Sequence, residues 1–306
     1  MSNQEAVWLK DDAEVEALLR QSDFYMIAAR PEAKFLDFSY DEDLRQLSFT
    51  YAISDYFRDD VTLNVLELPG INADPGEDLW VEMGEKFVRA WDRPNDEPEA
   101  RVLEWFTTEK LIWDRARQRA GVQGFDQYRE ASVYDLLYVG IAKVGDSFDR
   151  LMNRGHKQRM EILANEPQRL PGSRVTDETY LFLHAVNPLT ITSFELDHDF
   201  TEEDFSPAIE LKRIVADAEK AFVSLLQPGY NVVKFTNYPK SRDGLYGSEF
   251  ARYAYYINED VTFQTPHGRI RGRRFTNMEA PSEADFVYVH GDTVRLYVSG
   301  VDFPST

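Results

Sequence analysis

Apolar residues recur along the chain at two spacings, and the switches between them set out the predicted elements. Between Asp11 and Arg20, Ala13, Val15, Leu18 and Leu19 serve as the apolar positions of a short helix. The stretch Ser22 to Ala29 then carries a compact apolar run that predicts a strand. Leu47 to Ala52 and Val61 to Leu66 alternate as half-buried strands do, and the second stops at Pro69-Gly70. More strands are expected over 79–106, with turn chemistry at Asn72 to Asp78 and Asp92 to Pro98. Glu109 to Ala120 reads as a helix ended by Gly121. A second unbroken apolar run, Val133 to Ala142, predicts a buried strand; a turn at 143–146 then leads into a helix expected from Ser147, a residue suited to the N-cap. Tyr180 to Val186 predicts another strand. The strongest helical pattern runs from Ser206 to Leu226, with Ile209, Leu211, Ile214, Val215, Ala218, Phe222 and Leu225 on one face and Pro228-Gly229 as its stop. Residues 245–306 alternate like β structure, and Phe286 to Val298 reads as a hairpin about Gly291-Asp292.

Strands and helices mixed in this way predict an α+β protein. Its 306 residues suggest about two cores. Three parts are expected: an acidic mixed α/β domain over 1–125, a second domain of a small sheet flanked by helices over 126–244, and a β-rich C-terminal extension over 245–306. The chain contains no internal repeat.

Charge sharpens this division. There are 34 Lys+Arg against 54 Asp+Glu, a net charge of −20. Residues 1–130 hold 29 acids and 15 bases, whereas 131–174 reverse the sign with 7 bases against 5 acids. The acidic total disfavours a general nucleic-acid coating protein. A local basic surface still suffices for one phosphate, because the Debye length is about 8 Å at 0.15 M salt. With no cysteine, disulfides, thiolate zinc sites and cysteine nucleophiles are excluded. No apolar run approaches the roughly 18 residues of a membrane span, and the start Met1-Ser2-Asn3-Gln4-Glu5 lacks a secretory pattern, so a soluble, cytoplasmic protein with no membrane partner is expected.

Three pieces of the second part, taken in order, carry a resemblance. Tyr138-Val139-Gly140 ends the apolar strand. The segment Phe148 to His156 includes Arg150, Arg154 and His156. Ala218 to Asn231 includes Glu219, Pro228, Tyr230 and Asn231. In this order they resemble the GIY-YIG nuclease superfamily over about residues 130–240. The family's first tripeptide, Gly-Ile-Tyr, should stand roughly ten residues before the second; residues 121–134 offer only Gly121-Val122, Gly124-Phe125, Tyr128 and Tyr134.

The resemblance implies a Mg²⁺-dependent endonuclease hydrolysing the phosphodiesters of nucleic acid, DNA ahead of RNA, in a setting such as bacterial defence or DNA processing. It implies that Glu219 holds the metal and that Arg150 grips the scissile phosphate. Tyr138, or after it Tyr134, would activate the water, with His156 relaying a proton and Asn231 orienting the glutamate or a water. Each residue also has an ordinary structural reading. Tyr138 can be core, Arg150 and Arg154 can pair with Asp146 and Asp149, and His156 beside Gly155 can cap a helix. Glu219 can pair with Arg213 or Lys220 or point into solvent, and Asn231 can be turn chemistry.

Arg154, Lys157, Arg271, Arg273 and Arg274 are the candidates for a nucleic-acid backbone. The last three belong with Arg269 to a cluster that follows Pro266-His267-Gly268, near Tyr253, Tyr255 and Tyr256. The same alternation fits one face of an exposed strand. Asp197-His198-Asp199 reads as a solvated acidic loop before it reads as metal ligands. The missing Gly-Ile-Tyr leaves an alternative, a degenerate module that binds nucleic acid or a protein without cutting. A third reading has the acidic N-terminal part docking a basic protein partner.

Overall fold

The computed structural model describes residues 1–71, 78–143, 145–153, 155–189, 209–248, 250, 252–275 and 283–302. The fold is α+β, as expected. Two short helices, α1 (Glu5–Leu9) and α2 (Ala13–Leu19), open the chain; Asp12 caps α2 by accepting from the N–H groups of Glu14 and Val15. The first apolar run becomes β1 (Phe24–Ala29), every residue of which is buried.

The chain then leaves this sheet for a separate core. Strands β2 (Ala33–Asp41), β3 (Gln46–Ile53), β4 (Phe57–Asn64), β5 (Trp80–Met83), β6 (Phe87–Trp91) and β7 (Val102–Thr107) precede α3 (Thr108–Ala116), β8 (Val122–Gly124) and α4 (Tyr128–Ala131). They form two sheets, β2-β3-β4-β8 and β5-β6-β7, around a core of Phe35, Phe49, Tyr51, Phe106, Leu111 and Phe125.

The second apolar run, β9 (Val133–Ile141), returns to β1 and pairs with it antiparallel. A π-helical turn (Asp149–Asn153), α5 (Lys157–Asn165), α6 (Val175–Glu178) and β10 (Thr179–His184) follow. After them come α7 (Leu211–Leu226), β11 (Arg252–Tyr255), β12 (Thr262–Thr265), β13 (Gly268–Arg271), β14 (Phe286–His290) and β15 (Thr293–Tyr297). The central sheet has the order β10-β1-β9-β12-β13, and β11-β14-β15 form a small sheet beside α7.

This topology departs from the expected boundaries at 125 and 244. β1 lies in the first part by sequence yet sits at the middle of the second part's sheet, while β12 and β13 of the supposed extension complete that sheet. Residues 31–132 are therefore an insertion between two paired strands. A buried polar seam joins it to the sheet. Arg30 reaches the Glu109 carboxylate at 2.7 Å and the Tyr51 hydroxyl at 3.2 Å, and the Tyr134 hydroxyl donates to Glu109 at 2.5 Å. The guanidinium also lies over the rings of Tyr134 and Tyr180. Glu109→Ala strands a buried cation, and the expected cost is about 3–5 kcal/mol in urea unfolding; a loss below about 1 kcal/mol would contradict this account of the seam.

Parity along β1 and β9 decides what each face carries. Phe24, Met26 and Ala28 pack toward α7, while Tyr25, Ile27 and Ala29 pack with Leu151 and Ile162 on the other face. In β9 the register breaks between Ile27↔Tyr138 and Ala28↔Leu136. This bulge at Leu137 inserts one residue and reverses the alternation beyond it. Without it Tyr138 would share the face of Tyr134; with it, Tyr138 joins Tyr25.

Candidate active site

Tyr25 and Tyr138 stand side by side on the α5 face of the sheet, ring centroids 6.1 Å apart. Tyr25 pairs with Gly140 in the antiparallel register. A Cβ built on Gly140 would come within 2.6 Å of both rings, so glycine is the residue that lets them close over the strand. The Tyr138 ring also meets the edge of His156.

His156 follows Gly155, whose φ of +69° is the left-handed conformation that glycine tolerates best, and it is the N-cap of α5. Its Nδ1 accepts the Arg159 N–H at 3.1 Å, and its Nε2 lies 2.7 Å from the Tyr25 hydroxyl. An Nδ1 that accepts carries no proton, so the neutral ring holds its proton on Nε2 and donates it to Tyr25 Oη; the network assigns this tautomer. The Tyr25 hydroxyl proton therefore points away from His156. In this tautomer the histidine holds the phenol as a donor and does not accept its proton.

Burial, with Arg150 and Arg159 nearby, holds the His156 pKa down to about 4. Burial holds His184 down to about 4 as well. Both are neutral in the folded protein at pH 7. Between about pH 6.5 and 4 the unfolded chain binds protons that the folded chain refuses, so stability falls as pH drops through that window. His156→Asn keeps an N-cap acceptor and removes one titration. It should lower the slope of stability against pH by about 1.4 kcal/mol per unit near pH 5, and equal slopes in chemical denaturation would refute the assignment.

Arg150 comes from the π-helical turn, where a continuous α-helix from Ser147 was expected. Ser147 is not the cap: its hydroxyl is buried without a partner among the described residues, and Asp146 Oδ1 instead accepts the Asp149 N–H at 2.7 Å. Single π turns often mark functional sites. Arg150 Nε is buried with no hydrogen-bond partner among the described residues. Burial raises the hydroxyl pKa values of Tyr25 and Tyr138, and the Arg150 charge opposes it at both.

Glu219 comes from α7, near enough for its charge to act on Tyr138. It makes no ion pair or hydrogen bond among the described residues, so its expected pairing with Arg213 or Lys220 is not seen. Arg213 bonds the Gly244 carbonyl instead, and Lys220 pairs with Asp243 at 3.0 Å. Burial raises the Glu219 pKa, opposed by Lys143, Lys220 and Arg150, and its charge raises that of Tyr138. The described residues hold no group of three or more His, Asp or Glu set as a metal cage. Mg²⁺ needs none, since it keeps several waters and takes one or two carboxylates with substrate phosphates. An unpartnered, part-buried carboxylate whose ionisation burial opposes fits that demand.

The remaining candidates lie elsewhere or are otherwise engaged. Tyr134 is buried in the seam on the opposite face, its hydroxyl committed to Glu109. Asn231 spends its whole amide on the backbone of Val139, accepting its N–H at 2.9 Å and donating to its carbonyl at 2.8 Å. It thus clamps the edge of β9 beyond the reach of β12, and no bond to Glu219 is seen among the described residues. Lys157 is exposed beside the cap and lies 3.5 Å from Glu161. Arg271 is tied to Asp285 and the Ser299 carbonyl, and Arg273 to Asp260 and Glu283. The Arg274 N–H bonds Asp260. This cluster starts where β13 pairs with the beginning of β12, opposite Val133 and remote in register from Tyr138. Two of its four arginines, Arg271 and Arg273, neutralise local carboxylates, which weakens the argument for a backbone-tracking strip. Arg154 and Asp197-His198-Asp199 lie outside the described residues.

Two members of the site were missed in the sequence, Tyr25 and Lys143. The signal for Tyr25 was present as an apolar run as compact as that of β9. No helix among the described residues is long and apolar enough to cross a membrane. No family model matches this chain, and neither a curated protein nor a solved structure matches it.

Proposed function

We propose that the chain is a metal-dependent endonuclease of the GIY-YIG kind, whose first-strand tyrosine is Tyr25, carried on Asp23-Phe24-Tyr25 where the family writes Gly-Ile-Tyr. One observation carries the reading: Tyr25 pairs across β1 and β9 with Gly140 of Tyr138-Val139-Gly140, its hydroxyl 2.7 Å from His156. The missing motif is then displaced by an insertion rather than lost.

Hydrolysis forms a bond from water to phosphorus, breaks the bond to a sugar oxygen, and moves one proton from the former oxygen to the latter. Tyr25, as a phenolate that the Nε2–H of His156 and the Arg150 charge stabilise, takes the water's proton and passes it to solvent, and a solvent water protonates the leaving sugar oxygen. Tyr138 beside it orients the water. Arg150 presents its planar donors to the scissile phosphate. Glu219 would hold a Mg²⁺, which when bound would supply charge to offset that accumulating on the phosphate. The substrate is DNA or RNA.

The full burial of Tyr25 favours the second reading, a module that binds without cutting, because a water must reach that hydroxyl for catalysis. Incubation of plasmid, single-stranded DNA and RNA in Mg²⁺, Mn²⁺ and EDTA, beside Glu219→Gln, separates the two. Metal-dependent cleavage that the variant lacks is the expected result; binding without cleavage in any metal would replace the first reading with the second.

A further inference from the structure

The loop that follows α7 folds back over the helix and lines an open pocket of about 510 Å³. Its floor is fixed to α7 by Asp217, fully buried, which accepts the Tyr238 hydroxyl at 2.7 Å, the Tyr255 hydroxyl at 2.9 Å and the Leu245 N–H at 2.7 Å. The wall is thus held by the core.

The lining is cationic in a chain of net charge −20: Lys220, Lys234, Lys240 and Arg242 face one carboxylate, Asp243. Lys220 is almost wholly buried, paired with Asp243 at 3.0 Å and bonded to the Ala216 carbonyl. Lys234 bonds the carbonyls of Gln227 and Pro228. Lys240 pairs with Asp292 at 2.7 Å across an exposed rim, and Arg242 has no partner among the described residues. Thr236, Asn237 and Ser241 add neutral donors, and Ser241 Oγ is buried with no partner among the described residues. On α7 the pocket's Lys220 directly follows Glu219, and Asp243 and Glu219 each feel the charges of Lys143 and Lys220.

Concentrated cations with short polar donors around a concave space suit a tetrahedral oxyanion. We propose that this pocket is a second phosphate subsite, which binds a non-scissile phosphodiester of the strand being cut. The proposal rests on the nuclease reading. The pocket holds the strand in register while Arg150 and Glu219 address the scissile phosphate, so it contributes uniform binding rather than chemistry. Lys240 and Arg242 face solvent at its rim and can be removed without disturbing the Asp217 anchor.

The test uses the full chain with Lys240→Ala and Arg242→Ala together, in the wild-type background for cleavage and in Glu219→Gln for binding. KM should rise about tenfold or more with kcat little changed. The slope of log K against log salt for an oligonucleotide should fall by about two, one per lost cation. Pyrophosphate, titrated by calorimetry, should bind Glu219→Gln and be lost in the triple variant. Cleavage with unchanged KM and unchanged salt slope would overturn the subsite and leave the nuclease reading intact. Pyrophosphate binding that the rim variants abolish, from a protein that neither binds nor cuts nucleic acid, would overturn the polynucleotide assignment in favour of a free-phosphate ligand.

Discussion

Tyr25→Phe should lower metal-dependent cleavage by about 10²–10⁴-fold, the range over which one positioned acid–base group contributes. The hydroxyl is the only atom removed; it lies 2.7 Å from His156 Nε2, with Tyr138 and Arg150 as further polar neighbours. Loss of one such hydrogen bond costs about 1 kcal/mol, too little to unfold a domain, so the lost rate is chemical rather than structural. Chemical denaturation of the same sample keeps the two apart. Cleavage within about threefold of wild type would remove Tyr25 from the chemistry.

The second large effect is expected at a residue with no side chain. Gly140→Ala places a methyl 2.6 Å from Tyr25 and Tyr138. No rotamer change at residue 140 relieves this, because a Cβ has no freedom, so one ring or the strand must move. Overpacking of this kind costs about 1–3 kcal/mol. A displacement of about 1 Å in a catalytic group costs about 100-fold in rate. Both losses are expected together, read by denaturation and cleavage on one preparation. Gly229→Ala is the control: nothing lies within 4 Å of its added Cβ, and its stability should stay within about 0.5 kcal/mol. Equal behaviour of the two variants would show that the rings do not depend on that glycine.

Much of the frame was legible because burial writes periodicity into sequence. Val133 to Ala142 became β9, Tyr180 to Val186 most of β10, and the helical pattern ending at Leu226 became α7. The hairpin about Gly291-Asp292 formed with Phe286 opposite Tyr297. Pairing was harder to read, since an apolar run does not name its neighbour. The β1 and β9 runs are separated by a unit with its own core, and a search within ten residues of Tyr138 could not reach Tyr25. The bulge at Leu137 was equally hidden. Counting by twos puts Tyr134 and Tyr138 on one face and makes them interchangeable candidates, whereas one extra residue sends Tyr134 to the seam with Glu109. His156 took its structural reading, as cap through Nδ1, and its Nε2 lies against the Tyr25 hydroxyl, a contact that the sequence did not show. Asn231 and the arginines of 271–274 looked functional by residue type alone. Their partners, the Val139 backbone and the Asp285, Asp260 and Glu283 carboxylates, come from segments that only the fold brings near.

The account turns on which tyrosine partners Tyr138-Val139-Gly140 across the insertion. The most direct measurement is the initial rate of Mg²⁺-dependent cleavage by three single variants, Tyr25→Phe, Tyr138→Phe and Tyr134→Phe, each confirmed folded. The account predicts that Tyr25→Phe loses at least about 100-fold, that Tyr138→Phe loses part of the rate, and that Tyr134→Phe cuts at the wild-type rate. Loss of cleavage in Tyr134→Phe with Tyr25→Phe unimpaired would contradict it.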